Sequence, residues 1–111
     1  MAVSTEARSV LFDSLSDPSR LALIEELEQG ERRVSDLAAA TGLAQPNVSK
    51  HLACLWDCGL VERQRRGREI HYGLAEGLDD LLASANRILE ASGERVLACP
   101  RYQRRAERRA A

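Results

Sequence analysis

Aromatic residues are scarce: one Trp, one Phe and two Tyr, 4% of 111 residues. Any core must therefore be built from Leu, Val, Ile and Ala. An aliphatic core in one small domain buries too little surface to be comfortable alone, which points to a homodimer. Long apolar runs are absent as well. None approaches the roughly 20 residues that cross a bilayer. The start of the chain lacks the basic-then-apolar pattern of a secretory signal, so the cytoplasm is the expected compartment. Cysteine is limited to three. An odd number in a reducing compartment argues against stable disulfides and leaves a free thiol, a metal ligand or a redox sensor open. Neither sign of charge dominates: 16 basic and 17 acidic side chains give a net charge of −1. The placement of charge therefore says more about partners than its sum.

What is present is mostly helical periodicity, with no internal repeat. Ala7, Val10, Leu11 and Leu15 recur at helical spacing over residues 5–16. Asp17-Pro18 predicts a sharp helix start, with Asp17 as cap and Pro18 in the first turn; that helix carries Leu21, Ile24 and Leu27 and ends before Gly30. Ser35 opens a short helix ended by Gly42, and Gln45-Pro46 leads a further helix to about Asp57, stopped at Gly59. Then the pattern changes. Leu60–Arg65 and Glu69–Leu74 read as strands, joined by a tight turn at Arg66-Gly67. A last helix is expected from Gly77 to Ser92, ended by Gly93. Residues 1–98 read as one domain. Residues 99–111 read as a flexible tail with Arg101, Arg104, Arg105, Arg108 and Arg109 against one acid, Glu107.

A short helix from Val34 to Thr41, Gly42, a short link and a second helix is helix-turn-helix spacing. In the second helix Val48, Leu52 and Leu55 form the buried stripe. Pro46, Lys50, Ala53 and Asp57 lie opposite, flanked by Asn47 and Ser49. Its first half is polar with one cation, as a helix entering the major groove requires. Gln45, Asn47 and Ser49 suit base edges or phosphates, and Lys50 attracts the backbone. The hairpin that follows crowds Arg63, Arg65, Arg66 and Arg68 toward its tip, where a two-stranded ribbon can lie on phosphates or reach a minor groove. The expected fold is mainly α with a β-hairpin wing, a homodimeric winged helix-turn-helix that binds double-stranded DNA. No nucleophile–base–acid set and no phosphate loop is present, so an enzyme is not expected.

Cys54 and Cys58 are four residues apart on the second helix. That spacing leaves the two thiols about 40° apart on one face and roughly 6 Å apart along the axis. Such a pair can grip one soft ion, but it cannot form a relaxed disulfide within an intact helix. Cys99 supplies a third thiol in the tail. Three thiolates favour cadmium(II), lead(II) or arsenic(III) over magnesium or nickel. The plain alternative is two small residues packed beside the core. His51, near the stripe, is expected to pack or hydrogen-bond rather than ligate, and His71 is assigned no function.

The strings "DPSRLALIEEL" and "VSDLAAATGLAQPNVSKHLACLWDCGLVERQRRGREIHYGL" resemble the ArsR/SmtB family of winged-helix repressors, from about Phe12 to Leu89. The resemblance implies a homodimer paired through its first and last helices. It also implies a palindromic operator, and release of DNA when a metal or metalloid binds. The family's Cys-Val-Cys site is absent, since the matching stretch is Arg33-Val34-Ser35-Asp36. Its His and carboxylate site on the last long helix is absent too, since Asp79, Asp80 and Glu90 have no His beside them. "HLACLWDCGLV" is similar to the CmtR type of cadmium/lead sensor within the family. The resemblance implies Cys54, Cys58 and a Cys99 from the other subunit as ligands. Cadmium(II) or lead(II) is then the expected ion, with arsenic(III) or zinc(II) as alternatives. A thiol-redox sensor on the same scaffold, joining Cys99 to Cys54 or Cys58, is a separate expectation.

Overall fold

A computed structural model describes residues 2–110, the side chains at positions 105, 106, 109 and 110 excepted. The elements are α1 (Thr5–Leu15), α2 (Pro18–Leu27), α3 (Val34–Thr41), α4 (Gln45–Asp57), β1 (Val61–Arg66), β2 (Glu69–Leu74), α5 (Leu78–Leu97) and α6 (Pro100–Ala110). They form two compact units, Met1–Glu76 and Gly77–Ala111.

The first unit is the winged helix-turn-helix. Asp17 caps α2 as its sequence predicts: its carboxylate accepts from the Arg20 N–H at 3.0 Å and Pro18 occupies the first turn. Helix α3 spans Val34–Thr41, the bounds expected for the first helix of the helix-turn-helix, and the Asp36 carboxylate accepts the Arg33 N–H at 3.2 Å and fixes its entry. Gly42 closes α3 with φ +75°, a left-handed turn that lets α4 leave at an angle. The core is aliphatic: Leu23, Ile24, Leu37, Val48, Leu52 and Leu55 are fully buried, joined by Leu27, Leu60, Val61 and the Tyr72 ring. Burying each of these side chains contributes about 1.5–3 kcal/mol.

Strands β1 and β2 pair antiparallel from Val61↔Leu74 to Arg66↔Glu69. The turn is therefore Gly67-Arg68, one residue later than Arg66-Gly67. Only Gly67 has positive φ, +65°, which suits the first position of a two-residue hairpin loop. The base of the wing is anchored by a bridge, with the Arg32 N–H donating to Tyr72 O at 3.0 Å and the Tyr72 N–H to Arg32 O at 2.8 Å.

The second unit differs from the sequence expectation in two ways. Helix α5 does not stop at Gly93 but runs to Leu97 and is capped at Ala98. One helical glycine costs only about 1 kcal/mol, and the good helix formers Glu94, Arg95 and Leu97 continue the turn. Residues 100–110, expected as a flexible tail, are helical. Pro100 sits at the first helical position, where its missing N–H costs nothing, and the Gln103 N–H donates to Cys99 O at 3.1 Å, the first bond of α6.

Candidate nucleic-acid interface and thiol site

Helix α4 divides by face. Val48, Leu52 and Leu55 hold it to the core, so its other faces are displayed. Gln45, Asn47, Ser49 and Lys50 are all exposed within its first two turns. They form a short polar surface with one cation, of a size and polarity suited to base edges.

The four wing arginines are not equivalent. Arg63 lies over the Trp56 ring, 4.2 Å from its centroid. Arg66 pairs with Glu31 at 2.7 Å and donates to Gln64 Oε1 at 3.2 Å. Arg65 donates from Nε to Gly67 O at 3.1 Å, which shapes the turn, and has no ion pair among the described residues. Arg68 stands exposed in the turn itself, with no ion pair among the described residues. The sequence reading grouped all four at a tip. It missed the partners because Glu31 lies 35 residues before Arg66, with no local spacing to announce it. An exposed pair of this kind is worth about 0–1 kcal/mol, so a phosphate competes readily with Glu31.

A second ionic cluster braces the wing against α3. Arg33 joins Asp36 at 3.3 Å and Glu69 on β2, while His71 Nε2 lies 3.6 Å from the other Glu69 oxygen. The Arg33 hydrogen bonds hold the Asp36 and Glu69 carboxyls below their ordinary range and raise the guanidinium in turn. Trp56, Arg63, Gln64, His71, Gly73 and Glu31 line a cleft of about 440 Å³ beside this brace.

Cys54 and Cys58 are both exposed, so they are not core filler. They share one side of α4, between its buried stripe and its polar face. Cys58 Sγ lies 3.6 Å from the Ser14 hydroxyl of α1, which is itself buried and donates to Val10 O at 2.9 Å. His51, on the same side of α4, is half-buried. The Arg20 N–H bond is the main cause that lowers the Asp17 carboxyl, with the Arg20 guanidinium adding to it against the effect of burial.

Cys99 belongs to the second unit and is half-buried at the head of α6. Backbone N–H groups of Tyr102 and Arg101 hold its thiol below the ordinary thiol range, with Arg104 adding to this against the effect of burial. The sequence placed Cys99 in a tail and did not foresee a helix N-terminus stabilising its thiolate. Among the described residues no three His, Cys, Asp or Glu side chains are gathered as for a metal ion. No described helix is long and apolar enough to cross a membrane.

Comparison with known proteins agrees with this architecture. Residues 17–63 match the family described as "Bacterial regulatory protein, arsR family". A probable mercury resistance operon repressor of Streptomyces lividans is 36% identical over 88 residues, 79% of this chain and 70% of that protein. The regulator CmtR of Mycobacterium tuberculosis is 43% identical over 63 residues, so this chain spans about half of it (53%). Its NMR structure, described as a cadmium metal-sensor, superposes with a TM-score of 0.59 at 40% identity, covering 67% of this chain and 78% of that one. The crystal structure of Mycobacterium tuberculosis Rv0081 superposes with a TM-score of 0.74 at 30% identity, covering 82% and 94%. The chain belongs to the ArsR family of bacterial regulatory proteins: it is a winged helix-turn-helix transcriptional regulator, not an enzyme.

Proposed function

We propose that this protein is a metal-responsive repressor that binds operator DNA as a metal-free homodimer and leaves it when a soft, thiophilic ion binds Cys54, Cys58 and Cys99. The observation that carries the reading is the placement of the α4 thiols. Two exposed cysteines, one turn apart, stand on the helix that presents Gln45, Asn47, Ser49 and Lys50. An ion held there bears directly on the element that reads DNA. The likeness to a cadmium sensor supports cadmium(II) or lead(II) as the ion, and the mercury-operon relative supports the wider class of thiophilic metals. Arsenic(III) and zinc(II) are the other ions the site has to be tried against.

The chemistry of the three thiols fits this role. Cys54 and Cys58 are open to an arriving ion, and backbone N–H groups at the head of α6 hold the Cys99 thiol below its ordinary range. The exposed Val10 and Phe12 of α1, and Ile88, Leu89, Val96 and Leu97 of α5, support a dimer in which a partner covers them. In that dimer Cys99 comes from the partner subunit. Gln45, Asn47, Ser49, Lys50, Arg65 and Arg68 engage DNA directly. Arg63 and Arg66 join once Trp56 and Glu31 give them up. Because thiols release protons when they ligate, metal affinity rises with pH. Because metal weakens DNA binding, DNA weakens metal binding by the same factor.

The test is a titration of the reduced protein with cadmium, followed by thiolate-to-metal absorption in the ultraviolet. The absorption grows to one equivalent per site in the wild type and is largely lost in Cys54→Ser and Cys58→Ser. Cys99→Ser keeps operator binding and loses most of the metal response. Normal release of DNA from that variant by cadmium would show that three thiolates are not needed. The redox reading predicts instead a disulfide after mild oxidation and no metal band.

A further inference from the structure

We infer that α6 is a second DNA-contacting element, which lays a stripe of arginines on the phosphate backbone whatever the base sequence. The inference rests on the DNA-binding reading above and adds an element to it.

Arginines at positions 101, 104, 105, 108 and 109 recur at intervals of three and four along α6. On a helix that spacing places all five within a stripe about 140° wide. Glu107, the one acid of the segment, falls outside the stripe. Arg101, Arg104 and Arg108 are exposed, and no arginine described on α6 has an ion pair among the described residues. Like charges three and four apart repel along a helix. A helix so charged gains most from a partner that is itself a polyanion.

The charge of the remaining chain shows what α6 adds. Residues 1–76, which hold the helix-turn-helix and wing, carry nine Lys and Arg against twelve Asp and Glu, a formal charge of −3. The groove-facing surface of α4 has one cation, Lys50, and Arg66 of the wing is paired with Glu31. A net-negative unit gains little general attraction for DNA. Residues 99–111 carry five Arg against one Glu, a formal charge of +4. A second concentration of positive charge, equal in sum to the four wing arginines, is thus outside the helix-turn-helix and wing. A membrane surface fits this helix poorly. Between residues 100 and 110 there is no Leu, Ile, Val, Phe or Trp, and Tyr102 is the single bulky apolar side chain available to insert.

The test uses the full-length, reduced, metal-free protein and a duplex selected by the wild type from a random pool. Affinity for this duplex and for a scrambled duplex of equal length is measured by anisotropy across a range of salt. Arg→Gln at all five positions lowers affinity for both duplexes by a similar factor, tenfold or more. It also reduces the slope of log affinity against log salt by roughly 3–4, at about 0.9 per phosphate contact. Arg→Lys at the same positions restores most of both. Unchanged affinity and slope in the Gln variant overturn the inference, as does a loss confined to the selected duplex or a Lys variant as weak as the Gln one. If the wild type shows no preference for its selected duplex, the operator-binding reading fails, and the behaviour of the α6 variants is judged apart from it.

Discussion

Asp17 shows how much one side chain sets. It caps α2, and α2 supplies Leu23, Ile24 and Leu27 to the core. Asp17→Ala is expected to cost about 1 kcal/mol at neutral pH, measured by denaturant unfolding. The pH dependence follows from the lowered folded-state pKa. The contribution is whole above the unfolded carboxylate range and is lost as pH falls through the folded value. Wild type and variant therefore converge in acid. The cap was legible in the sequence because Asp-Pro is a local signal. The cysteines were legible only in part. A spacing of four placed Cys54 and Cys58 on one face, and the structure adds that both are exposed and that Cys58 meets Ser14 of α1. That contact spans 44 residues of sequence, and no periodicity reveals it. Ser14→Ala is expected to leave the fold intact, since the hydroxyl's one short bond is to Val10 O within its own helix. It should shift the ultraviolet metal band or weaken cadmium binding several-fold. A variant identical to wild type in both would show that Ser14 does not position Cys58.

Among the elements, α4 carries two duties at once. Its buried stripe fixes it in the core while its free faces present the polar surface and the thiols. Leu52 is fully buried at the middle of that stripe. Leu52→Ala is expected to destabilise the protein by about 2–5 kcal/mol and to weaken DNA binding with it, read by thermal melting and anisotropy together. The stripe, the Gly42 turn and the hairpin were all readable from residue order, because each depends on near neighbours. The wing's ion pairs and the Trp56–Arg63 stack were not, since they join residues distant along the chain or across two elements. The end of α5 was misplaced, and α6 was not expected, for a different reason. Gly93 and Pro100 are strong punctuation marks, but one glycine inside a favourable helix is tolerated and a proline at the first helical position starts a helix.

At the scale of the molecule, the chain forms two separately compact units. The first holds the reading helix, the wing and two thiols. The second holds the third thiol, at the head of an arginine-rich helix. On the proposed reading, a soft ion bound by Cys54, Cys58 and Cys99 ends repression. The account rests on that link, and one titration examines it most directly. A duplex bound by the reduced, metal-free protein is followed by anisotropy as cadmium, lead, zinc and arsenite are added in turn. The account predicts release of the wild type by cadmium or lead near one equivalent per site, and none from the Cys54→Ser/Cys58→Ser double variant. Equal release from that double variant, or release by a thiol oxidant with no response to any of the four, would contradict it.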